Sequence, residues 1–314
     1  MLHARSRSSL LGKSPDGTAV PASGRKKARV RFLLPLTFSL VIGFVAACFP
    51  ANAATSVVMG GVGNVSSLSK ASGVAVPENR YAHLNMNPPN TKMVNVEPNS
   101  SWATYAASKP GSSAYNDTVR WGKALKARGG NVWVAFSHEP ESHASSKYGN
   151  SSSFVAAFRH FVTIIRSTGA TNVSFVWQMT SYAFQVGPGD YRYPSKWYPG
   201  ASYVDLVGAD PYNWYTCGGN RGRGQWIQLS TLAAPALKWA RANHKGLVLP
   251  EYASQAGSQR AQWLRNAGAW ARANADTVRG MFYFNVGPQG PSLGCNWVLY
   301  NSTDLSAFAN GVVR

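Results

Sequence analysis

The chain has 314 residues, 45% of them hydrophobic and 12% aromatic, which is too apolar for a disordered protein and enough to bury one large core. Lys and Arg number 31 against 12 Asp and Glu, a formal charge of +19; eight of those cations and one acid precede residue 55, leaving 23 against 11 beyond it. Beyond Arg31 the cations are scattered and form no run, so a nucleic-acid footprint is not expected and a solvated basic surface is.

In chain order, Arg25, Lys26, Lys27, Arg29 and Arg31 come before an apolar stretch from Phe32 to Phe49, and Ala51-Asn52-Ala53 follows. Residues 1–54 therefore read as a secretory signal with a long polar leader. A retained anchor is the competing reading, which Pro35, Gly43 and the small-residue site oppose. Val45-Ala46-Ala47-Cys48 also resembles a bacterial lipobox, and a lipid on Cys48 is the only membrane attachment expected. Each outcome exports the rest of the chain. Only Cys217 and Cys295 remain there, and in an oxidising compartment they are expected to form a disulfide.

From residue 55 onward, short β-branched and aromatic runs alternate with amphipathic ones. Strands are predicted at Val57–Val62, Arg80–Leu84, Met93–Val96, Val132–Phe136, Val173–Gln178, Tyr203–Gly208, Leu247–Leu249 and Gly280–Phe284. Helical spacing marks Tyr115–Arg128, Phe154–Ser167, Trp226–Asn243 and Gln259–Ala275. The second unit has the weakest pattern. Eight strands alternating with helices predict a single (β/α)₈ barrel over residues 55–314. Glycines at 60, 61 and 63, around the end of the first strand, lack the spacing of a dinucleotide loop.

Beyond residue 54 there are five glutamates: Glu78, Glu97, Glu139, Glu141 and Glu251. Glu139 follows the fourth predicted strand in Ser137-His138-Glu139-Pro140, and Glu251 follows the seventh in Pro250-Glu251-Tyr252. In a barrel, the C-terminal strand ends converge on the site that carries chemistry. Two carboxyls placed there are what glycoside hydrolysis requires: one protonates the departing oxygen and the other attacks the sugar or activates water. Rival motifs are weaker. His138-Glu139 with His143 misses the zinc-protease spacing by one residue and is interrupted by Pro140. Gly290-Pro291-Ser292-Leu293-Gly294 has the letters of a nucleophile elbow in a loop with no helix behind it. Asp205 and Asp210 flank a strand, and without neighbouring acids a cap or loop hydrogen bond is expected of them.

These motifs, with Trp197-Tyr198-Pro199-Gly200 and the run Tyr203–Trp214, make the chain resemble glycoside hydrolase family 26, a family mainly of β-mannanases. The resemblance runs from about residue 57 to the C-terminus. It implies Glu139 as acid/base and Glu251 as nucleophile, with His138 at the sugar and Tyr212 donating a hydrogen bond to the nucleophile; Trp214 is a further candidate for sugar binding, with barrel packing as its alternative. Unlike mannanases, the chain continues after Glu139 with no aromatic before Tyr148. The expectation is an exported, retaining endo-glycosidase, monomeric and without metal or organic cofactor, acting first on β-1,4-mannan. β-Glucan, β-xylan and a catalytically inactive carbohydrate-binding barrel are the alternatives. Glu251 is expected to ionise first, leaving Glu139 protonated near neutral pH.

Overall fold

The computed structural model describes residues 56–145, 148–288 and 293–314. The expected signal, Cys48 and most of the Gly290–Gly294 motif lie outside them. Among the described residues, no helix is long and apolar enough to cross a membrane.

The sheet contains eight long strands: β1 (Val58–Gly63), β2 (Asn79–His83), β3 (Met93–Glu97), β4 (Val132–Phe136), β5 (Val173–Thr180), β6 (Leu206–Asp210), β7 (Gly246–Ser254) and β8 (Val278–Asn285). All pair in parallel, in the order β1-β8-β7-β6-β5-β4-β3-β2, and a two-residue stretch, Tyr212–Asn213, adds to the end of β7. A bridge between Gly61 and Glu78, with the Gly61 amide bonded to Pro77 O at 2.9 Å, brings β2 back to β1 and closes the barrel. This is the predicted (β/α)₈ fold.

Every second residue of a strand faces the barrel interior. Met93, Trp133, Ala135, Val176, Leu206, Val248 and Phe282 form an apolar floor there with Val62. Two rings occupy space that glycines leave. A Cβ on Gly60 would lie 2.3 Å from Phe282, and one on Gly280 would lie 2.7 Å from Trp133. Moving toward the C-terminal ends, the same inward positions turn polar: Asn95 and Glu97 after Met93, Gln178 after Val176, Asp210 after Leu206 and Gly208. The strands thus carry an apolar floor and a polar rim.

The outer core lies between strands and helices. Ser113–Arg128 buries Trp121 and Leu125, and Ser151–Ser167 buries Phe154, Phe158, Phe161 and Ile165. The second of these helices begins with a capping box, in which Asn150 Oδ1 accepts from the Ser153 amide and the Ser153 hydroxyl accepts from the Asn150 amide. Helices Leu229–Ala242 and Arg260–Ala273 follow β6 and β7, close to their predicted spans.

Three details differ from the sequence reading. No helix joins β2 to β3; residues 84–92 form a loop, which accounts for the weak pattern of the second unit. The sixth strand is shifted to Leu206–Asp210, so Asp210 ends it instead of following it. The seventh strand runs on through Pro250 to Ser254, so Glu251 lies inside it. Proline lacks an amide for the ladder, and the pairing with β8 shifts register between Leu249 and Tyr252, the irregularity expected where a bulge re-aims a side chain.

Candidate active site

Six strands, β2 to β7, contribute to the site. After β4 the chain turns sharply: Ser137 and Glu139 both adopt left-handed backbone conformations, with φ of 50° and 45°. Such conformations cost about 1–3 kcal/mol each and persist where surrounding bonds hold them. Here the Ser137 amide donates to Val96 O at 2.8 Å and the Glu139 amide to Gln178 O at 3.0 Å. Pro140 then opens the short helix Pro140–His143, where proline's missing amide is harmless.

Glu251 is 7% exposed, and both of its oxygens accept tyrosine hydroxyls: Oε1 from Tyr81 of β2 and Oε2 from Tyr212. Its backbone is fixed as well. Pro250 O accepts from Asn79 Nδ2 at 3.0 Å, and the Glu251 amide donates to Asp210 Oδ1 at 3.1 Å. Burial pushes the Glu251 carboxyl up, to about 8. The two phenols act in the opposite direction, because hydrogen bonds donated to a carboxylate favour its charged form. Burial thus works against the expected order, with Glu251 ionising first, and the two hydroxyls oppose burial.

Asp210 links the two glutamates. Its Oδ2 accepts from Gln178 Nε2 at 2.7 Å, its Oδ1 takes the Glu251 amide, and its side chain shares a hydrogen bond with Glu139. Burial, reinforced by the charge of Glu139, raises its carboxyl well above the usual range. The expectation that Asp210 has no acidic neighbours is thus corrected: distant strands bring Glu139 and Glu251 to it. Asp205 does act as a loop acceptor, taking the Phe175 amide at 2.8 Å.

His138 lies between Glu139 and the end of β3. Its Nδ1 is 2.9 Å from Glu97 Oε1, while Glu97 Oε2 accepts from the Ser137 hydroxyl at 2.9 Å. Burial alone would lower the imidazole's pKa, but the hydrogen bond and charge of Glu97, with Glu139 and Glu141 behind it, prevail and raise it. Glu141 points away from this cluster into the wall, where its Oε1 accepts from the Thr180 amide and hydroxyl at 2.7 and 2.6 Å. Burial pushes it up, to about 7.

Aromatic rings line the side near β8. Tyr212 packs against Trp214, Trp297 and Phe284 at 5.5, 5.0 and 5.9 Å between centroids. Trp214 is half-buried and carries the Arg221 guanidinium at 4.9 Å. Trp197, in contrast, is buried far into the outer core, its Nε1 donating to Tyr191 O at 2.8 Å, as a loop anchor would be. The disulfide Cys217–Cys295 joins the loop after β6 to the loop after β8, with Cα atoms 5.1 Å apart. Sequence reasoning named Glu139, Glu251, His138, Tyr212 and Trp214; it missed Tyr81, Glu97, Gln178 and Asp210.

A closed parallel barrel with carboxyls from the end of β4 and from β7 is an arrangement that glycosidases use. Comparison with known proteins is specific about the family. Residues 146–285 match the sequence model described as Glycosyl hydrolase family 26, a span that includes Tyr212 and Glu251. Over that span the chain is similar to glycosyl hydrolase family 26. It is 30% identical over 175 residues to Endoglucanase H of Acetivibrio thermocellus, covering 53% of this chain and 19% of that protein. It is 32% identical over 107 residues to the beta-1,3-xylanase TXYA of a Vibrio species, covering 34% and 20%. The chain thus spans about a fifth of the length of these curated relatives. Among solved structures, GH26C of a Muricauda species superposes with a TM-score of 0.55 at 12% identity, over 82% of this chain and 86% of that one. A GH26 beta-mannanase of Bacteroides ovatus gives 0.51 at 11% identity, over 82% and 88%. At such identities these neighbours establish the fold alone.

Proposed function

We propose that the chain is an exported retaining glycosidase that cuts within a β-linked polysaccharide, with Glu251 as nucleophile and Glu139 as acid/base. The observation that carries this reading is the linkage of the two carboxyls through Asp210 on the polar rim, with Glu251 held by two phenols. In the first step the Glu251 carboxylate attacks the anomeric carbon while Glu139 gives its proton to the glycosidic oxygen. The old C–O bond breaks and a glycosyl ester forms. In the second step Glu139, now a base, takes a proton from water, which attacks the same carbon and releases Glu251, so the product keeps the β configuration. Tyr81 and Tyr212 hold the carboxylate for attack and receive it when it leaves. His138, oriented by Glu97 through Nδ1, has Nε2 for a sugar hydroxyl, and Trp214 offers a ring face. The disulfide suits an oxidising compartment.

For the backbone, the sequence relatives support a β-glucan first and a β-xylan second. β-1,4-Mannan has less support, since the beta-mannanase neighbour shares the fold at 11% identity and the segment after Glu139 has no aromatic before Tyr148. Glucose and mannose differ only at C2, next to the carbon under attack, so the distinction is made inside this site. The test is reducing-sugar release from mixed-linkage β-glucan, β-1,3-xylan and β-1,4-mannan, followed by proton NMR. The β-anomer should appear first, Glu251→Ala should abolish turnover, and Glu139→Ala should cleave an activated aryl glycoside with azide rescue to a β-glycosyl azide. An α-anomer appearing first would refute retention. Binding to one polysaccharide without any cleavage would instead leave an inactive carbohydrate-binding barrel.

A further inference from the structure

The sequence pattern His138-Glu139…His143 fails as a zinc-protease signature, yet the fold gathers its two histidines with a different acid. The His138 and His143 rings meet edge to face, with centroids 5.1 Å apart. Glu97 joins them from β3, and one donor atom from each of the three residues lies within 4.8 Å of the other two. Two imidazoles and a carboxylate are the donor set of open zinc sites, which leave a fourth position for water.

The surroundings are those of metal ligands. A ligating histidine usually donates its second N–H to a carbonyl or carboxylate, and a ligating carboxylate is itself hydrogen-bonded. The His143 ring is hydrogen-bonded to the backbone of His138, which leaves its other nitrogen available. The second oxygen of Glu97 accepts from the Ser137 hydroxyl at 2.9 Å, and that hydroxyl in turn accepts from Trp102 Nε1 at 2.8 Å. Glu97 Oε1 and His138 Nδ1 stand 2.9 Å apart around one proton. With metal bonds of about 2.0–2.1 Å, donors in a tetrahedral site stand about 3.3 Å apart, so an ion fits between these two after a shift of a few tenths of an ångström, and a rotation of the His143 side chain brings in the third donor.

We propose that Glu97, His138 and His143 form a binding site for a zinc-class divalent cation, and that its occupation inhibits the enzyme. The site takes Zn²⁺ in place of the Glu97–His138 proton, with water in the fourth position. Inhibition follows because His138 loses the hydrogen bond that orients it and a divalent charge settles beside Glu139, the neighbouring residue. That second part rests on the hydrolytic reading above; the binding part does not.

The test is calorimetric titration of the full chain with zinc chloride at about pH 8, where protons compete least for the ligands. One equivalent should bind to the wild type, at least tenfold more tightly than to His143→Ala or Glu97→Gln, with melting temperatures confirming that both variants fold. Co²⁺ should give the visible absorption of a tetrahedral site in the wild type and lose it in both variants. In the hydrolysis assay, His143→Ala should keep its metal-free rate within twofold while losing zinc inhibition. Absence of zinc binding by the wild type, or equal binding by both variants, overturns the site. Binding without inhibition of an active enzyme overturns the inhibitory role, and hydrolysis failing on every substrate leaves the calorimetric result to decide the site alone.

Discussion

At Glu251 two opposing influences meet on one carboxyl. Burial pushes it up to about 8, while Tyr81 and Tyr212 each donate a hydroxyl to one of its oxygens. A hydrogen bond to a charged group contributes about 1.5–3 kcal/mol, so deleting one donor should raise the carboxyl's pKa by about one unit or more. Tyr212→Phe should therefore shift the acidic limb of the kcat/KM–pH profile upward by about one pH unit. A raised pKa leaves Glu251 protonated over a wider range, so activity is lost from the acid side. Tyr81→Phe should act in the same direction through the other oxygen, and a limb unmoved in both variants would mean that the phenols do not set the charge. The two glutamates themselves were legible because five glutamates beyond residue 54 leave few candidates and these two sit in the His138-Glu139-Pro140 and Pro250-Glu251 motifs after strands. Asp210, Glu97 and Tyr81 were not, because their meaning lies in partners from other strands. A signal was nevertheless present: Met93, Asn95 and Glu97, or Leu206, Gly208 and Asp210, read at every second position, pass from apolar to polar toward the same end. Tyr81 had no such help, since its strand belongs to the unit without a helix.

Among the elements, long amphipathic helices and all-apolar strands were the most legible, because a parallel strand buried on both faces reads as a continuous hydrophobic run, as Val132–Phe136 does. The end of β7 was hidden by Pro250, which reads as a strand breaker until the register shift with β8 accommodates it. The closing segment was hidden for another reason. After β8, Ser302–Ala307 and Phe308–Val313 are fastened by a buried ion pair, with Arg260 Nη2 2.6 Å from Asp304 Oδ2, and a pair so distant in sequence leaves no local pattern. Between these extremes is the disulfide, foreseeable from two thiols in a chain expected to be exported. It spans 78 positions and ties down the loops that carry Trp214 and Trp297, where the Gly218 amide also donates to Leu293 O at 2.7 Å. The chain-entropy model gives about 4 kcal/mol for a loop of this length. Reduction, or Cys217→Ser with Cys295→Ser, should lower the stability measured by urea unfolding by up to about 4 kcal/mol. Activity at low temperature should fall less than stability if the loops keep their packing. An unfolding midpoint that ignores reductant would show that the bond contributes nothing to stability.

At the scale of the whole molecule, the polar rim concentrates acids where water is scarce. Burial raises Glu141 to about 7 and Glu251 to about 8, and Asp210 well above its usual range. Each of these groups holds its proton more tightly in the folded chain than in the unfolded one. Their stabilising contribution is complete below the ordinary carboxyl range and is lost as pH rises through the folded-state values. His138, whose pKa is also raised, adds to the same trend. The free protein should therefore grow less stable between about pH 5 and pH 8, each group adding a slope of up to about 1.4 kcal/mol per pH unit. Glu141 separates this effect from catalysis, since its carboxyl is bonded to Thr180 in the wall and is 2% exposed. Its Oε2 has no partner, so a neutral amide carries less desolvation penalty there than a carboxylate. Glu141→Gln retains an oxygen to accept from the Thr180 amide and hydroxyl while removing the titration. Urea unfolding across this range should show a flatter decline for the variant, with the gain over wild type growing toward pH 8 and vanishing near pH 5. Equal slopes in the two proteins would show that Glu141 titrates as it does in the unfolded chain, and that the wall around it is open to water.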